Sequence, residues 1–205
     1  REVKLHHITH IKNLKSILES GYLKSRNSLD HNDFEDTANY DIILKRKNVN
    51  GDNLNEYVPL HCNHLQETFG ISYNYAVCKN NGSKNMIYFI FSPSIIAKYS
   101  EVLFYAFHPV SVHGIKCKNL TEFSEKMTEY YKQLPKMNGD KLDFSNKMVQ
   151  DFFTSEILVK NKIDLKDLQK IFVSNEDTKN KVEEILIECG YENINVEIKK
   201  KFFQI

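Results

Sequence analysis

Paired cysteines, a glycine-rich phosphate loop and a long apolar run are all missing from this chain of 205 residues. Cys62, Cys78, Cys117 and Cys189 are too widely spaced for a zinc ribbon or a redox dithiol, so free thiols in a reducing compartment are the plain reading. Without a glycine-rich loop, P-loop and Rossmann nucleotide chemistry are disfavoured. The longest apolar run, Met86 to Phe91, is too short to cross a bilayer, and no signal-peptide pattern opens the chain. A cytoplasmic protein is expected, and a first residue of Arg1 rather than methionine suggests that a short leader has been cut. Net charge is missing too: 28 basic residues face 27 acidic ones, so any nucleic-acid binding must be local rather than driven by a global field. Arginine is scarce, at Arg1, Arg26 and Arg46 alone. Because its planar fork suits phosphate best, Arg26 and Arg46 stand out as candidates for a pyrophosphate clamp.

What is present is enough for a core: 41% of the residues are apolar, which fits one domain over residues 1–205. Val3 to Ile8 reads as a strand, followed by a helix capped by Thr9, with Ile11, Leu14, Ile17 and Leu18 at helical spacing and Gly21 as its stop. Residues 24–55 are polar, with a short helix expected over Tyr40 to Lys47. Strands are expected at Tyr57 to Leu60, Met86 to Phe91, Val102 to Phe107, Phe152 to Val159, Ile171 to Val173 and Ile194 to Phe203. Helical stretches are expected at Ser94 to Tyr99, Thr121 to Leu134, Asp164 to Gln169 and Glu176 to Cys189; Phe69 to Val77 fits either state. Short strands with helices between them point to an α+β fold of packed sheets rather than a regular βαβ wind.

Three clusters invite chemistry. At His7-Ile8-Thr9 a strand runs into a helix, presenting backbone amides and a small hydroxyl suited to ribose or an anion. The plainer alternative is a core histidine and a helix cap. Glu156 sits among Phe152, Phe153, Ile157, Leu158 and Val159, where a buried carboxylate is costly unless paired or working; an outward-pointing strand residue is the alternative. Such a carboxylate can hold a ribose hydroxyl and stabilise the cationic sugar left as a leaving group departs. Lys45-Arg46-Lys47 reads first as a solvated basic face. His61-Cys62-Asn63-His64 matches no standard ligand spacing, so no metal is expected.

In order along the chain, His7-Ile8-Thr9-His10, Ser16, Arg46 before Tyr57-Val58-Pro59, His108 and Ser155-Glu156-Ile157-Leu158-Val159 resemble the DarT family of ADP-ribosyltransferases, over nearly the whole chain. The resemblance implies an ADP-ribosyltransferase-like α+β fold with two packed mixed or antiparallel sheets and flanking helices. It implies transfer of ADP-ribose from NAD, consumed as co-substrate, to a base of single-stranded DNA, by a toxin opposed by a macrodomain antitoxin. His7, Ile8, Thr9 and Ser16 would line the NAD site, and Glu156 would be the catalytic acid residue. Arg46 would lie near the reacting groups and help remove the proton from the attacking base, and His108 would sit on the substrate side. Between His108 and Glu156, Lys132, Lys136, Lys141 and Lys147 would meet phosphates while Tyr130, Tyr131 and Phe144 stack on bases.

The chain departs from the family pattern after Pro59, where Leu60-His61-Cys62-Asn63-His64 replaces aromatic residues and a Pro-rich turn. That departure leaves open whether the acceptor is thymine or guanine. An RNA or protein acceptor, or a non-catalytic NAD- or nucleic-acid-binding module, are the rival readings.

Overall fold

The computed structural model describes residues 4–29, 34–37, 39–62, 78–137 and 141–203. Among them the strands are β1 (Leu5–His10), β2 (Tyr22–Lys24), β3 (Tyr57–Cys62), β4 (Met86–Phe91), β5 (Val102–Ala106), β6 (Ile115–Cys117), β7 (Glu156–Lys160), β8 (Lys162–Asp164), β9 (Leu168–Val173) and β10 (Asn195–Ile198). The α-helices described in full are α1 (Leu14–Ser20), α2 (Tyr40–Lys45), α3 (Leu120–Gln133), α4 (Lys147–Phe152) and α5 (Glu176–Glu188). Eight strands form one sheet in the order β10-β9-β4-β1-β3-β7-β5-β6, and β2 pairs with β8 in a small second sheet. The large sheet is mixed because β10 runs parallel to β9 while its other ladders are antiparallel. The expected α+β architecture is present, with two sheets of very unequal size.

Strand β4 explains the core. Its side chains alternate between faces, so Ile87, Phe89 and Phe91 join the main apolar cluster while Met86, Tyr88 and Ile90 join a second one. All six residues are buried, which is why the run is continuously apolar. The main cluster is closed by helices: Leu14 and Leu18 of α1, Phe123 and Met127 of α3, Val149 and Phe152 of α4, and Val182 and Leu186 of α5. Each pair lies three or four positions apart, so one stripe of each helix faces the sheet.

Three expectations are corrected. Thr9 is not a helix cap: β1 continues through His10, held by its register with β4, and the His10 ring accepts the Lys12 amide at 3.1 Å. The strand expected from Phe152 begins only at Glu156. Before it, the Asn146 side chain accepts the Met148 amide at 2.9 Å and caps α4, which turns Val149 and Phe152 inward. The final strand is likewise short, ending at Ile198. The stretch Phe69 to Val77 lies outside the described residues, as do Asn63, His64 and Gly139.

Candidate functional site

β1 and β3 pair only at Leu5 with Cys62 and His6 with His61, after which they part. From His7 to His10, β1 stays paired to β4, while β3 stays paired to β7 from Tyr57 to His61. The result is a fork in the sheet. His7 bridges its neck, with Nδ1 at 2.9 Å from the Pro59 carbonyl. A carbonyl accepts only, so Nδ1 carries the proton and Nε2 keeps its lone pair. The amide hydrogen that Pro59 lacks would have pointed to the same side as that carbonyl, into the fork, so the β3–β7 ladder loses nothing.

A cavity of about 420 Å³ occupies the fork, and His7, Ile8, Thr9, Ser16, Arg46, His108 and Glu156 all line it. The seven residues that the resemblance implies for the cofactor and the reaction thus meet at one place, although they come from five separate parts of the chain. Ser16 is at the exposed rim, where its hydroxyl donates to the Asn13 carbonyl at 3.0 Å. His61, read in the sequence only as a doubtful metal ligand, also lines the cavity: it is register partner of Glu156 and its Nδ1 lies 3.3 Å from the Ser155 carbonyl. Among the described residues no group of three or more His, Cys, Asp or Glu is arranged to hold a metal.

Glu156 is 3% exposed, so its charge needs a counter-charge. Arg46 supplies it, donating from Nη1 to Oε1 at 2.9 Å. Burial alone would raise the Glu156 pKa, but the Arg46 guanidinium, with His61 and His108 nearby, holds the carboxyl below the usual carboxylate range. Arg46 is the dependable part of that field, because burial lowers the pKa of both His61 and His108 and keeps them neutral at pH 7. The ion pair leaves Glu156 Oε2 and Arg46 Nη2 buried with no hydrogen-bond partner among the described residues. Native interiors rarely leave such atoms idle, and both belong to cavity-lining residues.

Arg46 is a basic residue with a fixed place rather than part of a solvated face. It closes α2, and its carbonyl accepts the Leu54 amide at 2.8 Å while Asn55 donates to the Ile43 carbonyl at 2.9 Å. The described parts of the polar segment from Lys24 to Asn55 therefore fold back toward the start of β3 and roof the cavity, to which Phe34, Thr37, Asn39, Ile42 and Leu54 contribute. Asn13 ties that roof to the fork: its amide nitrogen donates to Thr9 Oγ1 at 3.1 Å and the Glu35 carbonyl at 3.0 Å, and its oxygen accepts the Glu35 amide at 2.8 Å. Arg26 also lines the cavity, yet it is engaged by a two-pronged ion pair with Asp36, both contacts at 2.6 Å.

His108 follows β5 on a turn that starts with Phe107 at φ 66°, a backbone conformation costly for a bulky side chain. Two contacts hold this turn, and a glycine makes room for it. The Phe107 amide donates to Ser155 Oγ at 2.8 Å, His113 meets Asp151 at 2.9 Å, and Gly114 passes so close that a Cβ there would lie 2.8 Å from the carbonyls of His108 and Pro109. The residues expected to stack on bases also pack against the core. Tyr130 packs edge-on to Phe107 at 5.1 Å, Tyr131 lies 6.1 Å from Phe152 and Phe144 5.3 Å from Phe153, so these rings are half-buried against the core. Lys132, Lys136, Lys141 and Lys147 are exposed and lie outside the cavity lining; Lys147 pairs with Asp151.

A family model described as "DarT: ssDNA thymidine ADP-ribosyltransferase, DarT" matches residues 6–204. Solved structures are similar throughout. Thermus sp. 2.9 DarT in complex with ADP-ribosylated ssDNA matches at 20% identity and a TM-score of 0.78, covering 98% of this chain and 96% of that one. The same Thermus protein in complex with NAD+ matches at 19% identity and a TM-score of 0.73, covering 98% and 97%. Thermosipho africanus DarTG in complex with ADP-ribose matches at 20% identity and a TM-score of 0.70, covering 98% of this chain and 50% of that one. At such identities these structures establish the fold. Among curated proteins no match was found.

Proposed function

Because the chain belongs to the DarT family of single-stranded-DNA thymidine ADP-ribosyltransferases, we propose that its forked cavity binds NAD and transfers ADP-ribose to a thymine base of single-stranded DNA. The observation that carries this is the meeting of His7, Ile8, Thr9, Ser16, Arg46, His108 and Glu156 around one cavity of ligand size. The unpartnered Glu156 Oε2 and Arg46 Nη2 fit the hydroxyls and phosphate oxygens that a dinucleotide carries. The complex of Thermus DarT with NAD+ supports NAD as the molecule bound here, which this reading consumes as co-substrate.

NAD supplies an ADP-ribosyl group joined to a good leaving group, nicotinamide. In this reading His7, Ile8, Thr9 and Ser16 hold the dinucleotide along β1 and α1, and the roof from Lys24 to Asn55 excludes water. Glu156 offers fixed negative charge to the ribose as positive charge develops there, which is worth most in a water-poor site. Arg46 keeps Glu156 ionised. A guanidinium holds its protons at any working pH, so its help in deprotonating the attacking base is electrostatic. His108, neutral at pH 7, is the proton acceptor beside the substrate. The base is held in line with the sugar, so much of the rate comes from orientation.

The experiment is incubation with labelled NAD and single-stranded oligonucleotides with and without thymine. Glu156→Ala is expected to lower transfer by about two to four orders of magnitude. No transfer by the wild type, equal transfer by the variant, or transfer to thymine-free DNA would each remove part of the reading. The likeness to a DarTG chain supports a toxin with a macrodomain antitoxin as partner. No helix among the described residues is long and apolar enough to cross a membrane; a cytoplasmic site of action follows from the DNA-modifying reading alone.

A further inference from the structure

The turn that aims His108 into the cavity is held in an unfavourable backbone conformation, and the contact that holds it comes from the residue next to Glu156. Three non-glycine residues have positive φ among the described ones; two are Asn50 and Asn161, a type that tolerates it, and the third is Phe107 at φ 66°. Phe107 is 1% exposed, its ring set edge-on to Tyr130 at 5.1 Å and Phe152 at 5.5 Å, so the side chain has no room to let the backbone relax. Its amide donates to Ser155 Oγ at 2.8 Å. Ser155 is 2% exposed and its own proton goes to the Phe152 carbonyl at 2.6 Å, which fixes the hydroxyl with a lone pair toward Phe107. One buried hydroxyl therefore ties the turn bearing His108 to the strand bearing Glu156.

We propose that Ser155 is a positioning residue: through Phe107 it sets His108 against Glu156, so that the acceptor base and the sugar meet in register. This rests on the transferase reading above for its chemistry and on the turn geometry for its mechanics. Strained backbone persists where surrounding contacts over-determine it, and misplacing a reacting group by about 1 Å costs about 10²-fold in rate. The second tie, His113 with Asp151, holds the far end of the same turn to the helix that precedes Ser155.

Two measurements test it. In the first, Ser155→Ala lowers kcat for transfer to a thymine oligonucleotide about 10²-fold while the NAD dissociation constant, read by calorimetry, stays within about threefold; Ser155→Thr, which keeps the hydroxyl, recovers most of the rate. NAD affinity falling in step with kcat, or a threonine variant as slow as the alanine, overturns the proposal. In the second, melting temperatures are compared for Ser155→Ala alone and in a Phe107→Gly background, because glycine adopts positive φ without strain. The drop caused by Ser155→Ala should be at least halved when residue 107 is glycine. Equal drops in both backgrounds overturn the proposal. A wild type that modifies no DNA defeats the transferase reading, while the second measurement still judges the joint.

Discussion

Arg46 closes α2 and Glu156 opens β7, and their side chains meet at 2.9 Å inside the sheet fork, 110 positions apart in sequence. A buried pair of this kind is a weak source of net stability but a costly thing to halve. Arg46→Ala leaves a carboxylate buried without its counter-charge and is expected to destabilise the fold by about 3–5 kcal/mol. The double variant Arg46→Met with Glu156→Gln should be clearly more stable than Arg46→Ala, although it removes both charges. Urea unfolding of the three proteins checks this; a double variant as unstable as the single one contradicts it.

Acid should unfold the protein through the fork. Burial pushes the His7 pKa down to about 4 from an ordinary 6.5, and it lowers His6, His61 and His108 in the same direction. The unfolded chain therefore binds more protons between pH 6.5 and 4, so the stability from a neutral His7 is complete above about 6.5 and is lost as pH falls toward 4. The loss from His7 is on the order of 3 kcal/mol. Melting temperatures should fall across that window, and less so in His7→Asn. A flat profile would contradict the neutral histidine cluster.

Asn13 should govern NAD affinity without touching the reaction. Its side chain is buried and joins Thr9 to both backbone groups of Glu35, pinning the roof over the cavity. Asn13→Ala removes three hydrogen bonds and is expected to weaken NAD binding about tenfold, with kcat less affected, since each bond contributes about 0.5–1.5 kcal/mol. Calorimetric titration with NAD gives the answer. Unchanged affinity would mean that the roof holds by other contacts.

Gly114 should tolerate no side chain. A methyl group there meets the His108 and Pro109 carbonyls at 2.8 Å, and both are backbone atoms that move only if the turn moves. Gly114→Ala is expected to cost about 1–3 kcal/mol and to slow transfer by more than tenfold as His108 shifts. Thermal unfolding and initial rates on the same preparation check both halves. Normal activity would show that the turn has slack.

Much of the fold was legible because period and face agree: Met86 to Phe91 had no polar residue to turn outward, and Phe123 with Met127 and Val182 with Leu186 mark one stripe each. Glu156 was legible as an acid among apolar neighbours, costly to bury unless paired or working, but the pattern fitted an outward-pointing strand residue equally well. What was hidden depends on distant partners. The length of β1 is set by β4, so the sequence suggested a cap where the chain stays extended. The end of helix α4 looked like the start of a strand because Phe152 and Phe153 are apolar in either state, and only the Asn146 cap decides. His61 gave no sign of its place, since its neighbours Ser155 and Glu156 lie about 94 positions away. The polar segment from Lys24 to Asn55 had no period to read, because it is held by Asn13, Asn55 and Glu156 rather than by its own apolar stripe.

β7 is inserted between β3 and β5, both of which precede it in the chain. As the polypeptide leaves the ribosome, then, the place between β3 and β5 is vacant until β7 has been made. Fragments that stop short of Glu156 carry the histidine-threonine strand and Arg46 but lack the carboxylate between them. Synthesis order thus delays the ion pair: the Arg46 guanidinium has no carboxylate to meet until β7 has been laid between its two older neighbours.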